Sequence, residues 1–252
     1  MRYVWDQFDT YFRQPRTSML VRIGAEATRS YLQRWDSKTS KRVDTFICNS
    51  HNIRRKIRDY YNRESQVIHP PVDLSFFRPG GAKDSFYLMV GAFAPNKRVD
   101  LAVKAFNQLK LPLKIAGRGQ DEAYCRSIAE DNIEFHGTLS NKKLLEIYQH
   151  ARALVFHGED DFGITPLEAQ ACNTPVIAYA SGGALETVTN QTGIFFSEQK
   201  EEALCEAVQE MERRWGKFSP ETFSIQTKLF RRENYKEQMA TAIQNGFEEW
   251  QR

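Results

Sequence analysis

The feature that most constrains the fold of this 252-residue chain is a regular alternation of short apolar runs and helical patterns between residues 83 and 200. Patterns with helical spacing, such as Val99, Val103 and Phe106, separate the apolar runs. Six runs are predicted as strands: 86–90, 113–117, 132–137, 153–156, 175–180 and 192–196. This rhythm predicts an α/β fold built on a doubly wound parallel sheet with helices on both faces.

The residues with unusual chemistry follow the predicted strands. Ligands bind such a sheet beyond the carboxyl ends of its strands, so loops that follow different strands converge on one edge. Four loops qualify: residues 91–97 after the first strand, 117–119 after the second, 157–168 after the fourth and 181–183 after the fifth. The sequence therefore predicts a ligand site assembled from these four loops.

The third of these loops, EDDFGITPLEAQ, places four carboxylates around one predicted helix start: Glu159, Asp160, Asp161 and Glu168. Thr165 and Glu168 have the spacing of a capping box, with Thr165 predicted at the N-cap and Glu168 at N3. The N–H groups of a helix N-terminus form an anion site, and Gly163 lets a ligand approach the backbone. An anion there would be repelled by the neighbouring acids.

Two ligands would resolve this conflict. Glu159, Asp160 and Asp161 could hold Mg²⁺, which prefers oxygen ligands. Alternatively, the carboxylates accept hydrogen bonds from sugar hydroxyls while the helix N-terminus and a cation hold phosphates. A diphosphate flanked by two sugars, as in a nucleotide-sugar, meets both demands. Lys97, on the neighbouring loop, is the candidate cation, and Asp160 and Glu168 are the candidate hydroxyl ligands.

Other classes of protein are disfavoured. The Gly117-Arg118-Gly119 stretch lacks the full dinucleotide-binding fingerprint, no P-loop motif is present, and Ser181 has no recognisable triad partner. The cysteines and histidines show neither metal-ligand nor disulfide-framework spacing, which indicates reduced thiols in a cytosolic protein. No run approaches 18 apolar residues, and no signal peptide is recognised at the N-terminus.

Charge is unevenly distributed along the chain. Residues 1–72 carry a net charge of +7 and the remainder carries −4. A basic first third indicates either solvated helix faces or attraction to an anionic partner such as a membrane surface. No groove-reading motif supports nucleic-acid binding.

The stretch DFGITPLEAQACNTPVIAYASGGALETV resembles the C-terminal signature of the retaining glycosyltransferases of family 4, the glycosyl transferases group 1 proteins. VGAFAPNKRVDLAVKAF, IAGRGQDE and NIEFHGTLS resemble the same family in the same order, closest to its mannosyltransferase-like subgroup. The resemblance implies a GT-B fold of two Rossmann-like domains. It places residues 1–78 as the end of an N-terminal acceptor-side domain, 79–220 as a complete donor-binding domain and 221–252 as a crossover helix.

The resemblance also implies roles for individual residues. Glu168 matches the second Glu of the family's Glu-x7-Glu motif and would bind the ribose, and Asp160, one methylene shorter than the family's Glu, would contact the donor sugar. Lys97 would neutralise the diphosphate. Many members of the family carry an arginine where this chain has Ala92, so one phosphate contact is absent here. The remaining donor-binding residues implied are Gly91, Gly117, Arg118, Gly163, Ile164 and Thr165, with 133–135 near the base.

The implied activity is transfer of a mannose-like hexose, with retention, from a GDP- or UDP-linked donor to a polysaccharide or lipid-linked acceptor. No metal or other cofactor is expected. Because the family's N-terminal domain normally supplies more than 100 further residues, the chain is expected to be a truncated glycosyltransferase. The alternative is a non-catalytic donor-binding chain or one subunit of a split enzyme with a separately encoded N-terminal half. The expected location is the cytoplasm, with peripheral contact at the inner membrane face through basic residues 1–72.

Overall fold

A computed structural model of the chain describes residues 2–13 and 17–251. Two compact units are present: Met1–Ile68 together with Gln238–Arg252, and His69–Glu237. Within the ranges 2–13 and 17–251, no helix combines the length and apolar character needed to cross a bilayer.

The smaller unit is mainly helical. Its strands β1 and β2 are two residues long and pair in parallel, with Ile47 opposite Gln66. Serine hydroxyls start its two longer helices, because Ser18 and Ser50 accept hydrogen bonds from backbone N–H groups three residues later. Its elements before Ile68 are a 3₁₀ turn Arg2–Val4, α1 Phe8–Phe12, α2 Met19–Ser40, β1 Ile47–Cys48, α3 His51–Tyr61 and β2 Gln66–Val67.

The larger unit contains a six-stranded, entirely parallel sheet. Its strands are β3 Tyr87–Val90, β4 Leu113–Ala116, β5 Ile133–Gly137, β6 Leu154–Phe156, β7 Val176–Tyr179 and β8 Gly193–Phe196. The order across the sheet is β5-β4-β3-β6-β7-β8, which is the doubly wound order. All six predicted strands are confirmed, and chain order reverses between the adjacent strands β3 and β6.

Helices cover both faces of this sheet and bury its apolar side chains. One face packs under α4, α5 and α9, with Phe106, Ile115 and Met211 fully buried. The other packs under α6 and α7, with Leu88, Tyr148 and Leu154 fully buried. The helices of this part are α4 Val99–Leu109, α5 Glu122–Ile128, α6 Asn141–His150, α7 Ile164–Ala171, α8 Ala184–Thr187, α9 Glu201–Arg214 and α10 Pro220–Lys228, plus the 3₁₀ turn Pro95–Lys97. A last helix, α11 Arg232–Trp250, begins in the larger unit and belongs to the smaller unit from Gln238 onward.

The division between units differs from the predicted domain boundary at 78/79. It falls between Ile68 and His69, because the segment that follows packs against the larger unit. The Val72 N–H donates to the Phe230 carbonyl at 2.9 Å, and both side chains share a buried cluster with Phe162 and Leu167.

The segment 221–252, predicted as one crossover helix, is divided into two helices. The chain forms α10 and α11, separated by a break at 229–231. Phe230 is buried in this break, and Arg231 forms a bridge with Val72. Packing of Phe230 into the larger unit therefore interrupts the helix that the polar pattern predicted.

Candidate active site

The loops that follow β3 and β6 meet where chain order reverses, and they bring Lys97 and Asp160 into contact. Lys97 ends the 3₁₀ turn after β3, and its ammonium donates a hydrogen bond to an Asp160 carboxylate oxygen. Both side chains are partly buried, at 24% and 20% exposed. Gly158 permits this approach, since a Cβ there would lie 3.0 Å from the Lys97 Cα atom.

The loop after β7 closes around the backbone of the same residue. The Gly183 N–H donates to the Asp160 carbonyl at 2.9 Å. The Ser181 hydroxyl donates to a Glu159 carboxylate oxygen at 3.1 Å. Loops from three strands, β3, β6 and β7, therefore fix the acidic segment, and these are three of the four loops that the sequence predicted to converge.

The carboxylates that the magnesium alternative invokes have other partners in this structure. Within residues 2–13 and 17–251, Glu159, Asp160 and Asp161 do not bring three oxygens within 4.8 Å of one another as a metal site would. Asp160 pairs with an ammonium and Glu159 with a hydroxyl instead.

The helix that follows, α7, starts two residues earlier than predicted. Gly163 is its N-cap, in the left-handed region with φ 92°, and no side chain caps the helix. The predicted capping box with Thr165 at the N-cap is therefore wrong, because glycine adopts this conformation without the strain that a Cβ would add. Ile164 and Thr165 form the start of the first turn, where N–H groups have no helical partner and favour an anion.

Glu168 has a partner that the sequence did not reveal. The Tyr148 hydroxyl, on a fully buried side chain of α6, donates to a Glu168 carboxylate oxygen at 2.9 Å. Burial raises the pKa of Glu168, and the hydrogen bond from Tyr148 opposes that rise. No sequence motif links Tyr148 to Glu168. The position of Tyr148 on the apolar side of a predicted helix indicates only that its side chain is buried.

The loops after β3 and β4 touch through their glycines. A Cβ on Gly117 would lie 1.8 Å from the Gly91 carbonyl oxygen, so glycine is required at this crossing. Arg118 extends toward the end of β5, where its guanidinium nitrogens would lie 3.2–3.3 Å from a Cβ on Gly137. It does not join the contact between Lys97 and Asp160 described above.

The arrangement defines a doubly wound α/β protein with a site that combines one ammonium, an uncapped helix N-terminus and several carboxylates. The family model described as "Glycosyl transferases group 1" matches residues 74–222, more than half of the chain. The chain therefore belongs to the glycosyl transferases group 1 family, and the resemblance found in its sequence is confirmed.

Individual relatives agree with this assignment. The D-inositol 3-phosphate glycosyltransferase of Mycobacteroides abscessus is 28% identical over 202 residues, covering 69% of this chain and 45% of that protein. The O-antigen chain mannosyltransferase RfbU of Salmonella typhimurium is 30% identical over 165 residues, covering 60% of this chain and 46% of that protein. The chain spans less than half the length of these curated relatives.

Solved structures share the fold. Sucrose-phosphate synthase from Thermosynechococcus elongatus superposes with a TM-score of 0.77 at 25% identity, over 88% of this chain and 62% of that one. Anabaena HepE, solved in complex with UDP-glucose, gives a TM-score of 0.75 at 16% identity, over 84% of this chain and 67% of that one. These neighbours are GT-B glycosyltransferases, which confirms the predicted fold class.

Proposed function

We propose that this chain binds a nucleotide-diphosphate hexose and transfers the hexose, with retention, to a growing polysaccharide or a lipid-linked acceptor. The observation that carries the proposal is the contact between Lys97 and Asp160 beside the N-terminus of α7. A diphosphate requires the cation and the helix N–H groups, and a sugar requires the acid. Relatives that are mannosyltransferases support a mannose donor, and one of them is a GDP-mannose-dependent enzyme of Corynebacterium glutamicum.

Each residue has one task in this proposal. Lys97 and the first-turn N–H groups of α7 stabilise the charge that develops as the nucleoside diphosphate leaves. Asp160 accepts hydroxyl hydrogen bonds from the hexose and holds its anomeric carbon in position. Glu168 accepts hydrogen bonds from the ribose diol. Since Lys97 and the helix supply the positive charge, the proposal requires no metal ion.

A thermal-shift panel of GDP- and UDP-sugars, with and without EDTA, tests donor binding. A ligand present at about 100 times its Kd stabilises the folded chain by about 2.7 kcal/mol. The cognate donor should raise the Tm equally with and without EDTA. Lys97→Ala should lose that shift, while Lys142→Ala, at an exposed position of α6, should keep it.

Three results would contradict the proposal. They are the absence of any shift with every nucleotide-sugar, an unchanged shift in Lys97→Ala, and a shift that EDTA abolishes. The last result would restore a metal role for the acidic loop. Retention is tested separately, by the anomeric configuration of the product in an NMR spectrum.

A second candidate is donor binding without transfer, as one part of a split enzyme. It is favoured by the location of every donor-site residue named above within the larger unit. Sugar transfer by the isolated chain would exclude it. Donor stabilisation without transfer, together with transfer after addition of a separately encoded acceptor-side half, would support it.

A further inference from the structure

His157 is a buried histidine that has no task in the donor site described above. It directly follows β6, and its side chain is only 2% exposed. Burial lowers the pKa of His157 to about 4 from 6.5, so the imidazole is neutral near pH 7. Neither ring nitrogen makes a hydrogen bond of ordinary geometry with residues 2–13 and 17–251. A buried polar group that is not fully hydrogen-bonded lowers stability, so this histidine requires an explanation.

The imidazole interacts with the backbone of Arg98, on the loop that follows β3. This interaction opposes the effect of burial on the pKa of His157, as a carbonyl acceptor does. Arg98 has a left-handed backbone, with φ 49°, between the 3₁₀ turn and α4. A residue with a Cβ keeps this conformation only where its surroundings hold it. His157 is therefore one of the groups that hold the turn at Arg98.

The same turn carries Lys97, the cation of the donor site. Gly158 packs against it, since a Cβ there would lie 3.2 Å from both the Asn96 and the Lys97 carbonyl oxygens. The His157 carbonyl accepts a hydrogen bond from the Gln199 side chain at 3.0 Å, which fixes the loop after β6 from the side of β8. The position of the Lys97 backbone thus depends on the two residues that follow β6.

We infer that His157 is a positioning residue for phosphate binding, because its imidazole holds the left-handed turn at Arg98 and thereby places the Lys97 ammonium where a diphosphate binds. An apolar side chain would fill the same space but would offer the Arg98 carbonyl no donor. The side chain of His157 is too buried to touch a ligand, so it is not a catalytic residue. The inference rests on the proposed function, since it assigns His157 to the phosphate-binding part of the same site.

Calorimetric titration of the full chain with GDP and with UDP tests the inference. His157→Phe keeps a ring of similar size and removes both nitrogens. It should leave the Tm unchanged or raise it, because the buried polar group is removed. It should nevertheless weaken binding of whichever nucleotide the original chain binds about five- to tenfold, because Lys97 is no longer held in place. A residue with a merely structural role would lower the Tm and leave the Kd of the folded chain unchanged.

A double-mutant cycle with Lys97→Ala shows whether His157 acts through Lys97. Lys97→Ala alone should weaken nucleotide binding about tenfold or more. Adding His157→Phe to Lys97→Ala should change the Kd less than about twofold, because residues that act through one group are not additive. Circular dichroism checks the fold of each variant. His157→Gln replaces His157→Phe in the cycle if His157→Phe does not fold.

Asn132→Leu is the matched control. The Asn132 Oδ1 atom is also buried without a partner among residues 2–13 and 17–251. Its amide nitrogen donates to the Phe106 and Leu111 carbonyls at 2.9 and 2.7 Å, before the start of β5 and therefore away from the carboxyl ends of the strands. Asn132→Leu should lower the Tm and leave nucleotide affinity unchanged.

Two outcomes would overturn the inference alone. One is a His157 variant that binds the nucleotide as tightly as the original chain while Lys97→Ala binds it weakly. The other is a loss of affinity from the His157 variant that is equally large with and without Lys97. If neither nucleotide binds the original chain, the proposed function fails and this inference fails with it.

Discussion

Replacing Tyr148 by Phe should lower both the stability of the chain and its affinity for donor at mildly acidic pH. The substitution removes only the hydroxyl that donates to Glu168 at 2.9 Å and keeps the buried ring. A hydrogen bond to a charged group contributes about 1.5–3 kcal/mol, so the free energy of unfolding should fall by that amount at neutral pH. Urea denaturation of the two chains measures it.

The pH dependence of donor binding follows from the same contact. Burial already raises the pKa of Glu168, and loss of the Tyr148 hydrogen bond raises it further. The carboxylate is the form that accepts ribose hydroxyls, so affinity falls as pH drops through the pKa of the folded state. In Tyr148→Phe that fall should begin at a higher pH, which a donor titration across pH detects.

Tyr87 provides a matched control. It is also fully buried, and its hydroxyl donates to a carboxylate, Glu212, outside the donor site. Tyr87→Phe should lower the free energy of unfolding by a similar amount and leave the pH profile of donor binding unchanged. The reasoning is refuted if Tyr148→Phe leaves both stability and profile unchanged, or if Tyr87→Phe moves the profile equally.

Three further predictions concern single residues. Asp160→Asn should weaken nucleotide-sugar binding about tenfold or more, because the sugar loses a charged acceptor. The same change should strengthen binding of the free nucleoside diphosphate, because it releases Lys97, and calorimetry measures both affinities. Burial lowers the pKa of Lys83 to about 8 from 10.5, so between these values the unfolded chain binds more protons and stability should rise with pH. Lys83→Met should lack this rise in urea midpoints. Gly117→Ala should destabilise the fold by more than about 3 kcal/mol in thermal denaturation, because its Cβ would lie 1.8 Å from the Gly91 carbonyl oxygen.

The sheet could be predicted from sequence because most of its strands are short, mainly apolar runs bounded by polar loops. Ser140 also starts α6 as expected, accepting from the Lys143 N–H. The start of α7 could not be predicted, because Thr165 and Glu168 fit a capping box while the left-handed backbone of Gly163 decides the boundary. The local sequence pattern therefore predicts that a helix is present, but the backbone torsion of a single residue decides where the helix begins.

The contacts between side chains in the site could not be predicted from local sequence patterns, for a different reason. Lys97 and Asp160 were predicted as ligands of phosphate and sugar, but their pairing depends on β3 and β6 being neighbours in the sheet. The contact between Tyr148 and Glu168 depends on how α6 packs against α7. Such pairs follow from strand order and helix packing, which residue types alone do not specify.

Side-chain partners account for three of the four acids in this short loop and helix. Asp160 has an ammonium partner in Lys97, Glu159 a hydroxyl from Ser181, and Glu168 a hydroxyl from Tyr148. A ligand can compete for each of these contacts. A phosphate competes with Asp160 for the Lys97 ammonium, and sugar hydroxyls compete with the present donors for the carboxylates. A ligand that carries both phosphate and sugar hydroxyls therefore replaces the contact between Lys97 and Asp160 with one new contact for each side chain. A ligand with phosphate alone takes Lys97 away from Asp160 and leaves a partly buried carboxylate without a partner. If the proposed function holds, the chain should therefore bind the complete nucleotide-sugar more tightly than the nucleoside diphosphate.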